Sequence, residues 1–283
     1  QSPDTVIYAV TTKGDLLAGT YDRDKKVIGW GSFKTDGDYE NVSTITVSEE
    51  DQVWVTVQRD VNGTSKRFIE LFLKGDGVSD SDSFSDSSLS ISTPLTVTAI
   101  TVASPAVATV TGHGLSNGDS VVLKGILDPE EVDLDSSKTN MSDLNGGNYI
   151  LANVTANTFE LTGTDTSGYN AYGSGGFAYL RTTSYSGLDH LEGKTVQVKG
   201  DGAVQTTKVV SGGSITLDSK AGEAVVGLPY STVIKTLDIE FNLGEGSMQG
   251  QPSRWAKPQL RVYRSGKPLV NGNVSVARKG GNK

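Results

Sequence analysis

Short runs in which apolar and polar residues alternate, each closed by Gly, Asn or Asp, recur along most of this chain. A period of two predicts half-buried strands joined by tight turns. Val6–Val10 leads through Lys13-Gly14-Asp15 into Leu16–Tyr21, and a turn over Asp22–Lys26 precedes Val27–Trp30. Val53, Val55 and Val57 alternate with Trp54, Thr56 and Gln58, so one side of that strand is aliphatic and the other mixed. Asn62-Gly63 predicts a type I′ hairpin turn into Lys66–Phe72. Residues 1–76 thus read as a β-meander, the end of a larger propeller-like or sheet platform. So few residues bury little surface alone, and the sheet is expected to need a preceding part of a larger protein, or a partner.

Residues 77–94, rich in Ser and Asp, read as a surface loop or linker. Strand patterns then resume in residues 95–182: Thr101–Val110, Gly118–Gly125, Asn148–Ala152 and Thr158–Leu161. That many short strands in so little chain cannot cover both faces of an open sheet, which predicts closure into a small β-barrel. Asp128-Pro129-Glu130-Glu131 combines an N-cap, an N1 proline and first-turn acids, so one helical turn is expected there. A polar surface loop is expected over Asp133–Asn145.

Residues 183–245 echo this module. Gly193–Gly200 repeats the order of small, polar and aliphatic residues in Gly118–Gly125, and a His-containing turn precedes each. A second small barrel follows, the two standing in tandem or one inserted into the other. Residues 246–283 read as a basic C-terminal hairpin, with Gln259–Arg264 and Val274–Ala277 flanking turns at Ser265-Gly266 and Asn271-Gly272. The predicted fold is all-β: a β-meander followed by small β-barrel modules, one inserted into another, with a C-terminal hairpin.

Composition agrees, since 35% hydrophobic residues and 34 Gly in 283 residues favour strands and turns over helices. No apolar run is long enough to predict a membrane span. The chain has no Cys, so neither disulfides nor thiolate metal sites arise, and it must be held by sheet packing or assembly. Gln1 is not an initiator Met, so a fragment or a processed product is expected. The net charge of −8 is unevenly spread: residues 246–283 hold eight Lys/Arg and no Asp/Glu, leaving 17 basic against 33 acidic groups in the rest. An acidic body with a basic tail suggests a tail that meets an acidic surface, another subunit or nucleic acid, although scattered charges on a solvated strand give the same count.

Candidate chemistry is sparse. Gly114-Leu115-Ser116-Asn117-Gly118 matches the G-x-S-x-G nucleophile elbow, but a strand follows where that motif needs a helix, so Ser116 reads as a β-turn residue. His113 and His190 sit in turns without metal-ligand or triad spacing. Asp76, Asp80, Asp82 and Asp86 offer hard oxygen ligands, without the spacing, central Gly and terminal Glu of an EF-hand calcium loop. Gly173-Ser174-Gly175-Gly176 lacks the strand-to-helix setting of a phosphate loop, and the sequons at Asn41, Asn62, Asn140, Asn153 and Asn273 follow from composition. Trp30, Trp54, Tyr169 and Tyr172 are candidates for stacking on a sugar, with core or interface packing the ordinary use of such rings. No catalytic, cofactor or metal residue is proposed, and no enzyme is expected.

Two resemblances add to this. Pro105–Phe177, through Gly112–Val121, Leu144-Asn145-Gly146, Ala156–Leu161 and Gly173–Gly176, resembles a small β-barrel module of phage tail proteins. That module is similar to the first catalytic-cysteine half-domain of ubiquitin-activating enzymes. Without a cysteine or nucleotide motif, the activating chemistry does not carry over.

The flanking parts resemble the tail nozzle (tubular tail protein B, or stabilisation protein) of short-tailed bacteriophages. The matching residues are Asp15–Ala18, Val27–Trp30, Asn62-Gly63, Ile69-Glu70, Gly187–Val196, Asp201–Val204, Ser211–Leu217 and Val226–Tyr230. In that family Phe84–Leu89 would run almost directly into Tyr185–Leu188; here residues 90–184 intervene, which implies an inserted barrel. The family is longer at its N-terminus, which implies a C-terminal portion. The resemblance implies a virion protein of the tail: a homo-oligomer, a hexameric ring in the intact protein, docked on a tail adaptor ring and in reach of tail fibres. Phage DNA would pass through its conduit without specific binding. The alternative is a host-surface adhesin or carbohydrate-binding tail module.

Overall fold

The computed structural model describes residues 6–22, 27–48, 50–73, 83, 85–130, 134–235, 269–270 and 272–274. It is all-β, with two short 3₁₀ turns among the described residues. The chain divides into two compact units, residues 1–230 and 231–283.

The first unit opens with an antiparallel sheet of β1 (Val6–Val10), β2 (Leu16–Asp22) and β3 (Val27–Phe33). A second follows, of β4 (Asp38–Val47), β5 (Glu50–Val61) and β6 (Thr64–Phe72). Asn62 and Gly63 take positive φ of 52° and 76°, the conformation a type I′ turn requires, so the β5–β6 hairpin turns where expected. On the aliphatic side of β5, Val53 is buried, and Val55 and Val57 pack with Leu16 and Tyr39 into a small core. β4 carries no comparably clean alternation and was not anticipated.

In the segment read as a linker, Asp86–Ser92 form β7. Leu89 and Ile91 alternate with serines there, enough for an edge strand. Residues 94–180 then build one curled sheet from β8 (Pro94–Thr96), β9 (Ala99–Ile100), β10 (Ala106–Thr109), β11 (Ser120–Leu127), β12 (Asn148–Ala152), β13 (Thr158–Leu161) and β14 (Ser174–Leu180). Its order is β8-β14-β11-β12-β13-β10-β9, around a core centred on Phe159, Leu123 and Leu161. Among the described residues no hydrogen-bonded closed barrel forms. One bent segment supplies both edges instead: Val97 N–H donates to Gly176 O (3.0 Å) on the β14 side, and Thr98 N–H donates to Thr109 O (2.9 Å) on the β10 side. The β11–β14 register is unbroken along its length, and in it Gly125 (φ 74°) falls opposite Gly176 (φ 92°), with Gly175 (φ 70°) beside it, backbone conformations that glycine takes at no steric cost.

The expected helical turn at Asp128 is not formed over residues 128–130, and Glu131 lies outside the described residues. The Asp128 carboxylate accepts the N–H of Ser142 (2.9 Å) and its hydroxyl instead, at the start of a 3₁₀ turn over Met141–Leu144. That turn buries Met141 and Leu144, so the polar loop dips into the core rather than staying on the surface.

After the module come β15 (Thr182–Ser186), β16 (Thr195–Gly200), β17 (Ala203–Val204), β18 (Lys208–Val209), β19 (Ser214–Ala221) and β20 (Glu223–Leu228). β15 pairs with β19, while β17-β16-β20-β7 form a sheet with β18 also on β16. These ladders do not close either among the described residues: one runs from β17 and β18, on the same edge of β16, across to β7, and β15 pairs with β19 apart from it. The sheets enclose a second core that includes Leu188, Leu191, Val196, Val198 and Val226. β7 pairs with β20, so chain from both sides of residues 94–180 belongs to one sheet and the curled module is inserted between them.

In the second unit, β21 (Leu269–Val270) pairs with β22 (Asn273–Val274), with Gly272 in a turn before β22; Asn271 lies outside the described residues. The Gln259–Arg264 run, the Ser265-Gly266 turn and Trp255 lie outside the described residues.

Candidate functional site

β5 continues its inward alternation past the three valines to Arg59, which places a guanidinium in the interior at 3% exposure. A buried charge persists only when paired and hydrogen-bonded, and this one has partners for every N–H. Nε and Nη2 donate to the Glu70 carboxylate on β6 (3.1 and 2.9 Å). Nη1 and Nη2 donate to the Asp86 carboxylate on β7 (3.3 and 3.2 Å). Nη1 also reaches Asp36 O (2.9 Å) and the Thr35 hydroxyl. Ser87 Oγ donates to Glu70 (3.0 Å), and Lys194 pairs with Asp36 (2.7 Å). The cluster therefore clasps the β4–β6 sheet, through β7, to the sheet that contains β20.

A cleft of about 710 Å³ opens over this clasp between β6 and β7, lined by Phe33, Phe68, Phe72, Leu89, His190 and Tyr230. His190 crosses Phe68 edge-on, with ring centroids 6.5 Å apart, and its Nε2 lies 3.3 Å from Ser87 O. Both carboxylates near the cleft floor are engaged by Arg59. The arrangement thus holds two sheets together rather than presenting an acid–base pair.

A second junction ties the inserted module to the scaffold. Lys124 on β11 pairs with Glu223 on β20 (3.2 Å), and Ser90 Oγ donates to the same carboxylate (3.1 Å). Gly222 lies so close that an added Cβ would stand 2.5 Å from Val122 Cγ1 and 2.9 Å from Tyr179 Cβ. Asp201 accepts the N–H groups of Gly222 and Glu223 (3.0 and 3.1 Å) and sits 3.5 Å from Arg181 Nε.

Each junction holds a buried tyrosine whose hydroxyl is pushed up to about 12. For Tyr39 the causes are burial, then the Asp86 charge; for Tyr185 they are burial, then the Asp201 charge. Unfolded tyrosine ionises near 10.0, so above that pH the folded state holds protons that the unfolded state has released. Stability is fully present below pH 10 and is lost as the pH rises toward 12, by about 1.4 kcal/mol per pH unit for each group. An alkaline titration followed by phenolate absorbance is expected to show Tyr39 and Tyr185 ionising well above pH 10 for as long as the fold persists. Titration of all ten Tyr near pH 10 would contradict it.

The residues singled out from sequence do not converge. Ser116 is exposed in a turn, and β11 follows it. Its own N–H donates to Asp119 (2.9 Å), which occupies that carboxylate with backbone. His113 is buried edge-on to Phe159 (5.3 Å), its Nδ1 accepting the Leu115 N–H (3.0 Å). Asp86 belongs to the clasp, whereas Asp76, Asp80 and Asp82 lie outside the described residues. Tyr172 donates its hydroxyl to Val97 O (3.1 Å) and packs, like Tyr169, against the module core. Trp54 is half-buried with Nε1 on Gln52 (3.2 Å), while Trp30 is exposed. Arg59 was missed, although its place two residues beyond Val57 in a period-2 run was a usable signal. No family model matches the chain, and no curated protein matches it.

Proposed function

We propose that this chain is a structural component of a short phage tail, part of the nozzle conduit through which DNA leaves, and acts by fitting its neighbours rather than by catalysis. The observation that carries the reading is the pairing of β7 with β20 around residues 94–180. It lets the chain on either side act as one scaffold, as the nozzle resemblance requires, and sets the curled module aside as an addition free to meet fibres or host surface. The clasp at Arg59 and the contact at Gly222 support the same reading, because rigid junctions suit a part that bears load. An acidic body suits a channel that DNA must leave, since like charge prevents sticking.

Excision tests it. Tyr179 pairs directly with Pro94, so the module's two ends are adjacent and a short linker spans them. The product of the intact open reading frame is expected to assemble into rings by electron microscopy, and to do so still when residues 94–180 are replaced by a Gly-Ser linker. Monomers of the intact product, or a strongly basic lumen, would count against the proposal. The adhesin reading draws on the exposed ring of Trp30; a glycan array with and without Trp30→Ala separates the two.

A further inference from the structure

The cleft over the Arg59 clasp has two unlike sides. β6 brings Phe68 and Phe72 to it, the latter edge-on to Phe33 with ring centroids 5.3 Å apart. The segment that leads into and forms β7 brings Ser83, Ser85, Ser87 and Ser88, with Leu89 beyond them. Tyr230 adds a ring that is 52% exposed and carries its own hydroxyl. The Glu70 and Asp86 carboxylates also line this space, and their oxygens are only partly used. Glu70 Oε2 accepts one N–H and Asp86 Oδ1 accepts one, both from Arg59 Nη2, while a carboxylate oxygen has room for about two. The Ser85 and Ser88 hydroxyls find no hydrogen-bond partner among the described residues. Two cations, Lys34 in the lining and Arg59 beneath it, match the two carboxylates, so this set carries no net charge.

We infer that this cleft binds a neutral saccharide. The inference rests on the recognition reading and not on assembly, and it places recognition here instead of at Trp30. A sugar ring presents both kinds of surface that the cleft can use. Its C–H groups, weakly positive, lie against the negative face of an aromatic ring, and its hydroxyls both donate and accept. The spare carboxylate oxygens take hydroxyl donors, and the serine hydroxyls return bonds to sugar oxygens. A purely apolar ligand would strip water from these groups and leave them unpaired, which is costly. An anionic one would be repelled by residues 1–245, which hold 17 basic against 33 acidic groups. The volume of about 710 Å³ suits a small ligand, whose sites span about 300–1,000 Å³. Arg59 already fixes both carboxylates, so binding does not have to order them.

A glycan array probed with the intact chain, followed by calorimetric titration of the best neutral glycan, tests this. The expected result is saturable binding of neutral glycans, weakened at least about tenfold by Tyr230→Ala and by Phe68→Ala. Tyr230 is half-exposed, so its replacement should leave urea unfolding unchanged even where Phe68→Ala lowers stability. Trp30→Ala should bind as the parent chain does. Binding to no glycan, or to acidic glycans alone, would overturn the inference. Binding that survives both cleft variants would exclude the cleft, and its loss in Trp30→Ala would then place recognition at Trp30. Ring formation by the intact product judges the assembly reading separately.

Discussion

Replacing Arg59 by alanine is expected to cost about 3–5 kcal/mol, because it strands carboxylates that the guanidinium now neutralises. Glu70 and Asp86 side chains are 21% and 16% exposed, enough shielding from water for an unpaired charge there to be expensive. Three elements lose their common partner at once: β5, β6 and β7. Arg59→Lys keeps the charge but not the fork that engages both carboxylates, so it should fall between wild type and alanine. Adding Glu70→Gln and Asp86→Asn to Arg59→Met should recover part of the loss, since that removes the stranded charges. Urea unfolding measures all of these. A loss below about 1 kcal/mol for Arg59→Ala would show that water reaches the carboxylates and that the clasp contributes little.

Phe159→Ala is the second large effect. The ring is 0% exposed at the centre of the inserted module, with the His113 ring edge-on at 79°. Truncation removes its buried surface and leaves a cavity that the flanking strands β10 and β12 cannot fill, for a cost of about 3–5 kcal/mol. Phe159→Leu should cost less, as more of the volume remains. The shape of the transition carries further information. If Gly222 and Lys124–Glu223 couple module and scaffold tightly, the whole first unit shifts together. A shift confined to one of two transitions would mean that the module unfolds separately. An unchanged midpoint would mean that Phe159 is not the keystone of that core.

Neither variant touches a catalytic group; both test whether the chain's purpose lies in rigid fit. Arg59 joins two sheets, and Phe159 fills the added module.

Strand identity was legible along much of the chain, with β4 and β7 the exceptions, because it rests on local chemistry. Val53, Val55 and Val57 alternate with polar residues, and Asn62-Gly63 tolerates the two positive φ angles its turn demands, so β5 and the β5–β6 hairpin follow from neighbours in sequence. The Gly118 and Gly193 turns likewise announce β11 and β16, at φ of 86° and 76°. Which edges meet was decided only in three dimensions. Leu89 pairs with Val226 across the whole inserted module, and nothing near either residue specifies the other. The two edges of the curled sheet approach each other only through a bend between Val97 and Thr98 that sends adjacent N–H groups to opposite edges. Arg59 acquires its role only where Asp86, distant in sequence, comes within reach of its guanidinium. Ile28 and Trp30, exposed on β3, likewise could not be told from core positions, since hydrophobic patterning marks apolar positions and not what covers them. Local patterning sets each strand and turn, whereas burial and pairing are sums over contacts that exist only once distant segments are brought together.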